Sequence, residues 1–417
     1  MKKSASLLAN RNFTYYFLGS LFGVLGEGIY GLTAIVLVLE NTNSIIEISR
    51  MLTLTLLPSV FLAPFIGVFI DSFNKRKLMV FCNLLRFLSI AVIPLSHQLG
   101  FHQDFFFFLS IFTSYIIWYI LEPAKESMLK KILSKEQYGQ GIAVVQGAWQ
   151  VGLLSSAIIA GFIMDQFGDI SAVLVSSFTY ILAASFFMMM SFQDSRTILK
   201  HSNSIITNFT NEMKSGWLYI LKTKVLFYFV INCSLILPFF YSINTLIVPF
   251  NFEVLNGTSV SLGLIDSGAG IGSFISAFLC IYLARSPKLN TIIVTSILLA
   301  AGSIIFFSYS SHITSAFLLY MALGTFIGNV KVLTRLIVYK NVEFNYIGRV
   351  MTTISLLSLL LSIMMTLITA FIAERSIGSA YLSITILLLF GLVCTLLGAK
   401  AEVQNRVTAE FKRLTTR

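Results

Sequence analysis

The chain reads as an all-α polytopic membrane protein, with twelve transmembrane helices in two pseudo-symmetric six-helix bundles. Three observations predict this. Of 417 residues, 56% are hydrophobic and only 11% charged, with a mean hydropathy of +0.85, whereas a soluble chain carries about a quarter charged residues. Apolar runs long enough to cross a bilayer recur along the whole length. The cations, finally, crowd into alternate loops.

A helix rises ~1.5 Å per residue, so ~20 apolar residues cross a ~30 Å hydrocarbon layer. On that rule the spans fall at 13–39, 47–70, 78–97, 105–123, 141–164, 170–192, 222–250, 260–284, 289–309, 314–338, 350–373 and 379–399. The fourth is expected to end at Glu122-Pro123, and the tenth is entered by Lys331 and Arg335. Pro58, Pro64 and Pro238 lie within spans, where neighbouring helices can satisfy the carbonyls they free. Met1-Lys2-Lys3 could open a signal peptide, but the apolar stretch after it exceeds the ~7–15 residues of a signal core. A retained first helix is expected.

With alternate loops assigned to the cytoplasm from the amino end, 26 of the 29 Lys and Arg residues fall on that side. Arg50 and Arg375 fall opposite, and Arg86 lies inside the third span. The positive-inside rule then places both ends in the cytoplasm. It also accounts for the net charge of +11 without nucleic acid, since no cationic cluster is interleaved with aromatics on a soluble face. The longest connection is polar and basic and sits halfway. It divides the chain into an N-terminal six-helix bundle (1–192), a cytoplasmic linker (193–221), a C-terminal six-helix bundle (222–399) and a basic cytoplasmic tail (400–417). The tail mixes Val407 and Phe411 with cations and is expected along the inner headgroups. At an offset of 209 residues the halves repeat: Arg76 meets Arg285, Gly139 meets Gly348, Phe162-Ile163 meets Phe371-Ile372, and Asp165 meets Glu374.

Between the second and third spans runs Gly67-Val-Phe-Ile-Asp71-Ser-Phe-Asn-Lys75-Arg76-Lys77. This resembles the G-x-x-x-D-R-x-G-R-R loop of the major facilitator superfamily, with Ser72 in place of the arginine and Asn74 in place of the second glycine. Leu255-Asn256-Gly257-Thr258-Ser259-Val260, Tyr346-Ile347-Gly348-Arg349-Val350 and Ala160-Gly161-Phe162-Ile163-Met164-Asp165 extend the resemblance to the macrolide-efflux branch, twelve-helix drug:proton antiporters whose neighbours also export siderophores. The resemblance implies that Gly67, Asp71, Lys75, Arg76 and Lys77 form a gating loop. Asp71 would brace a helix end, and the cations would contact carboxylates or carbonyls on the opposite half. A plain topogenic role for the cations is the alternative. The resemblance also implies a central cavity lined by the first, fourth, seventh and tenth helices. That makes Tyr30, Trp118, Asn232, Tyr241, Asn244 and Asn329 candidate lining residues, although aromatic stripes also arise from packing and interfacial belts.

An ionisable residue at bilayer depth costs roughly 2.5–3.5 kcal/mol on insertion scales, so each one points to a role. Glu27 sits mid-span in Gly26-Glu27-Gly28, with glycines that let a helix or a substrate come close. It is the leading candidate for taking up and releasing the coupling proton, against a structural glutamate bonded to a tyrosine or hydroxyl. Asp266 is either a second carboxylate in the path or a solvated one near the outer surface. Arg86 either counters an acid within the bundle or snorkels to the inner headgroups. Glu122 shares a helical face with Trp118 and Tyr115, and Gln146, Trp149 and Gln150 form a similar patch on the fifth span.

The chain has no G-x-x-x-x-G-K-[ST] for nucleotide and no H-E-x-x-H or serine elbow. His97, His102, His201 and His312 are scattered over loops, so neither a metal nor another cofactor is expected. Cys82, Cys233, Cys280 and Cys394 show no pairing pattern and read as small buried hydrophobes. The expected protein is no enzyme but a monomeric secondary transporter of a bacterial inner membrane, exporting a small molecule in exchange for protons. The alternatives are export of an endogenous siderophore or similar metabolite, an importer, and a membrane sensor or enzyme that transports nothing.

Overall fold

The computed structural model describes residues 7, 10–99, 103–191, 205–343 and 346–415. The elements are helices throughout: α1 (Arg11–Thr42), α2 (Ile45–Ser72), α3 (Lys75–Leu99), α4 (Gln103–Ile132), α5 (Lys135–Phe167), α6 (Asp169–Met189), α7 (Ile205–Lys222), α8 (Lys224–Pro249) with a π-helical turn Phe250–Val254, α9 (Ser259–Leu283), α10 (Leu289–Ser308), α11 (Ile313–Asn341), α12 (Ile347–Ala373) and α13 (Ile377–Thr415). In lipid every backbone polar group must find an internal partner, and a helix achieves this within one segment. Among the described residues, eleven helices are long and apolar enough to cross a membrane. The 28-residue α2 covers the second predicted span, and α7 is not among the eleven.

Two helices outrun their predicted spans for visible reasons. α4 passes through Pro123 to Ile132. A proline removes one backbone hydrogen bond, and the helix-forming Ala124-to-Ile132 stretch resumes at once. The predicted stop at Glu122-Pro123 is therefore corrected. α13 runs unbroken to Thr415, so the tail continues a spanning helix rather than starting a new element. Part of the predicted linker is likewise the helix α7.

The chain forms two compact units: Met1–Ile205 with Asn256–Ser267, and Ile206–Leu255 with Gly268–Arg417. The start of α9 thus belongs to the first unit. There a Cβ on Gly161 would lie 2.4 Å from the Ser259 carbonyl oxygen, and one on Gly263 would lie 2.4 Å from that of Ala157. Both glycines permit a backbone-on-backbone crossing of α5 and α9.

Within the first unit, α1 starts at an Asn10 cap whose side chain accepts from the Asn12 and Phe13 amides and donates to the Ile132 carbonyl at 3.0 Å. Phe13, Tyr16, Met79, Met128 and Phe187 are among the buried side chains that fill this end. Asn74 caps α3 by accepting from the Lys77 amide at 3.0 Å. The cations Lys75, Arg76 and Lys77 stand at a helix start, where the dipole disfavours them. Arg76 answers this by donating at 2.6 Å to the Met188 carbonyl, at the end of α6 where acceptors are left over. Its carbonyl partner lies in its own unit, not in the opposite half as the family resemblance implied. Lys75 is buried and partnered, and Lys77 is exposed. Gly67 and Asp71 fall within α2, but their surroundings lie outside the described residues, as do His102 and His201.

Candidate functional site

Of the four intramembrane charges flagged in the sequence, Glu27, Arg86 and Glu122 converge in the first unit. Gly26 and Gly28 set the position of Glu27. A Cβ on Gly26 would meet Thr179 and the Ser176 carbonyl of α6 at 2.0 and 3.1 Å, and one on Gly28 would meet Ser156 of α5 at 1.8 Å. Two helices therefore press on α1 at either side of Glu27, and its carboxylate is left the remaining face. There it meets Arg86 of α3, Nη1 to Oε2, at 3.7 Å.

Arg86 is 2% exposed, and a charge so deep needs several partners. Its Nε donates to Ser114 Oγ of α4 at 3.2 Å. The guanidinium lies over the Tyr180 ring of α6, 4.3 Å from the centroid, a favourable cation–π contact. Glu122 and Lys125 of α4 lie within electrostatic reach of Glu27 and pair with each other at 2.5 Å. The buried indole of Trp118 lies beside Glu27. Tyr30 bonds Ser110 across α1 and α4 at 3.1 Å.

Two acids and two bases thus gather in one polar cluster contributed by α1, α3 and α4, with Tyr180 of α6 against it. Ionised, they balance. Protonating one carboxylate leaves the group with one excess positive charge and weakens the hold on its guanidinium or ammonium partner.

Three contributors went unnoticed in the sequence. Lys125 was counted as a loop cation, because α4 was expected to stop before it. Ser114 and Tyr180 carried no signal beyond membership of polar or aromatic helix faces, since neither shares a helix with Arg86.

Asp266 stands apart from this group. It is half-buried in α9, in the stretch grouped with the first unit, with no ion pair or hydrogen bond among the described residues. In the second unit, Asn232 donates to Thr395 Oγ1 of α13 at 2.8 Å, and Asn329 accepts from Ser276 Oγ of α9 at 2.9 Å. Both amides are buried and tie helices of their own bundle together. Asn244 bonds back to the Phe240 carbonyl, and Tyr241 packs edge-on against Phe240. On α5, Gln146 is exposed, and Trp149 and Gln150 are half-buried. All four cysteines are buried and unbridged. Among the described residues no group of His, Cys, Asp and Glu gathers as a metal site would require.

The family model of the Major Facilitator Superfamily matches residues 16–364. The chain belongs to that superfamily. Membership carries the multi-pass membrane fold. The chain is similar to the uncharacterized MFS-type transporter YvqJ of Bacillus subtilis (strain 168), 20% identical over 64% of each chain. It is also similar to macrolide efflux protein A of Streptococcus pyogenes, 20% identical over 69% of this chain and 70% of that one. The match thus spans a little under two thirds of YvqJ. Among solved structures, the nucleoside transporter NupG aligns with TM-score 0.73 at 11% identity, covering 94% of this chain and 99% of that one. An inward-facing bacterial homologue of the lysosomal transporter Spinster aligns with TM-score 0.71 at 12% identity, covering 95% and 97%. At such identities these structures establish the shared fold alone.

Proposed function

We propose that the protein exports a small molecule from the cytoplasm by alternating access, in exchange for protons, with Glu27 as the proton carrier. The observation that supports this reading is the buried Glu27–Arg86 pair, held by Ser114 and Tyr180 and bordered by Glu122 and Lys125. Substrate enters while Glu27 is ionised. A proton arriving from the outer side neutralises Glu27, frees Arg86 from its counter-charge and weakens the substrate's hold. Loss of that proton to the cytoplasm restores the pair.

The similarity to macrolide efflux protein A supports export, and the one-sided Lys and Arg distribution supports a bacterial inner membrane with both ends inside. The charge balance favours neutral or monocationic substrates. A polyanion such as a siderophore would need Arg86 and Lys125 free, and both are already matched to carboxylates. Asp71 and Asp266 are assigned supporting roles, bracing the end of α2 and offering a second carboxylate.

The test uses everted membrane vesicles and a panel of neutral and cationic toxic compounds, with and without a protonophore. Wild-type vesicles should take up at least one compound only while the proton gradient persists. Glu27→Gln should abolish that uptake while the protein still inserts and accumulates normally. Proton-coupled uptake retained in Glu27→Gln would remove Glu27 from the mechanism.

A further inference from the structure

Transport as read above makes no use of α7. This helix spans Ile205–Lys222, and the spanning helix α8 starts at Lys224. One side of α7 is docked within the second unit. A Cβ on Gly216 would lie 2.9 Å from the Arg349 carbonyl oxygen, and Ile220 is fully buried. The Tyr219 ring stacks on Tyr346 with centroids 4.3 Å apart and planes 11° from parallel. The Tyr219 hydroxyl accepts from the Glu343 amide at 3.2 Å. Glu343, Tyr346 and Arg349 lie where α11 gives way to α12, at the ends of two spanning helices. The docking therefore fixes α7 at the depth where the chain leaves the bilayer.

Among the described residues the opposite side carries no protein cover. Trp217, Leu218 and Leu221 are 39%, 52% and 51% exposed, and Lys214 and Lys222 are exposed on the same arc. Lys224, Lys340 and Arg349 stand at the same end of the unit. The geometry points to α7 as an interfacial helix whose Trp217–Leu218–Leu221 face lies in the headgroup layer of an anionic leaflet, with Lys214 and Lys222 on the lipid phosphates.

Three features select lipid as the occupant. Trp and long cations are the residues that settle at a membrane boundary. The cationic end of the unit complements anionic headgroups, each nearby Lys favouring binding roughly fivefold. The stripe is also too narrow for a second protein, since three side chains fall far short of the ~800 Å² a stable interface buries on each partner. Through the Tyr219–Tyr346 stack, and Arg349 lying 5.2 Å from the Tyr346 ring centroid, the leaflet then steadies the start of α12.

The full-length protein is reconstituted in phosphatidylcholine vesicles with or without phosphatidylglycerol, the lipids brominated near the headgroup. Tryptophan emission is compared between wild type and Trp217→Phe. The emission lost on substitution, that of one of three tryptophans, should be quenched by the bromolipid and shielded from aqueous iodide. Lys214→Glu with Lys222→Glu should reduce that quenching at least fivefold in vesicles containing phosphatidylglycerol and leave it unchanged in phosphatidylcholine alone. Iodide quenching without bromolipid quenching would overturn the assignment by placing Trp217 in water. Protection from both quenchers would overturn it in favour of a protein partner, and indifference to the lysine changes would remove the anionic component. No substrate enters this readout, so its outcome is separate from that of the export reading.

Discussion

The first unit holds its mid-membrane polarity as formal charge, in Glu27, Arg86, Glu122 and Lys125, whereas the second holds it largely as neutral amide, in Asn232 with Thr395 and Asn329 with Ser276. The repeat sharpens this contrast. At the same offset of 209 residues, Glu27 and Trp118 correspond to Ile236 and Ile327, and both isoleucines line one small apolar cavity between helices of the second unit. Lys331 and Arg335 are both exposed on α11, with Arg335 5.8 Å from the Tyr339 ring centroid. The first unit thus carries an ionic cluster where the second has a small, mostly apolar cavity at the matching sequence positions. Charge in the membrane is costly enough that the asymmetry points to a division of labour. On the reading proposed above, the proton-handling groups belong to the first unit, and the second contributes neutral packing.

The strongest way to break the contrast is Arg86→Met. It leaves the Glu27 carboxylate buried beside Ser114, Tyr180 and an excess of acid, and removing one member of a buried pair costs about 3–5 kcal/mol. Thermal unfolding in detergent should show that loss, with transport abolished. Adding Glu27→Gln should restore most of the stability, because the orphaned charge disappears, yet leave transport absent. If Arg86→Met alone unfolds like wild type, the pair is no buried ionic element and the contrast between the units fails.

Next in size is the reverse graft, Ile236→Glu. The cavity at this position is walled mainly by apolar side chains, Leu235, Phe239 and Val330 among them, with the Asn232 amide its one polar lining side chain. A carboxylate there should cost roughly 2.5–3.5 kcal/mol, read as a lowered unfolding temperature and reduced insertion. Tolerance of the glutamate would mean that the cavity is wet, and that the second unit could have hosted the proton site equally well.

Much of this arrangement was legible before any coordinates. Hydropathy exposes spans because lipid leaves the backbone so few options, and a glutamate between two glycines in the middle of an apolar run stands out by its cost alone. Arg86 and Glu122 were visible for the same reason. What the sequence concealed was which charges meet. The Glu27–Arg86 contact depends on α1 rotating against α5 and α6, and the glycines announce a close approach without naming the neighbour. Lys125 was hidden by Pro123, which reads as a helix end but here only interrupts one hydrogen bond, so that the next turn returns Lys125 to Glu122. The docking of α7 was hidden by composition, since a stretch with many polar residues averages away the Trp217, Tyr219 and Ile220 pattern that gives it one buried and one lipid-ready side.

The smallest expected effect tests whether the amides of the second unit are only a framework. Asn329 accepts from Ser276 at 2.9 Å and from the Cys280 thiol at 3.5 Å. It sits beside Gly328, where a Cβ would come within 2.5 Å of Ser276 Oγ, so α9 and α11 are already held by close packing. In a membrane interior the separated helices find other partners for such groups, and measured interhelical bonds average only about 0.6 kcal/mol. A double-mutant cycle of Asn329→Ala and Ser276→Ala isolates the pair from the cavity that each substitution creates. The coupling should be near 0.6 kcal/mol, with transport within about twofold of wild type. A coupling above roughly 2 kcal/mol would exceed what neutral bonds deliver between membrane helices. Loss of transport without loss of stability would place Asn329 on the substrate's path, and the second unit would then share the chemistry now assigned to the first alone.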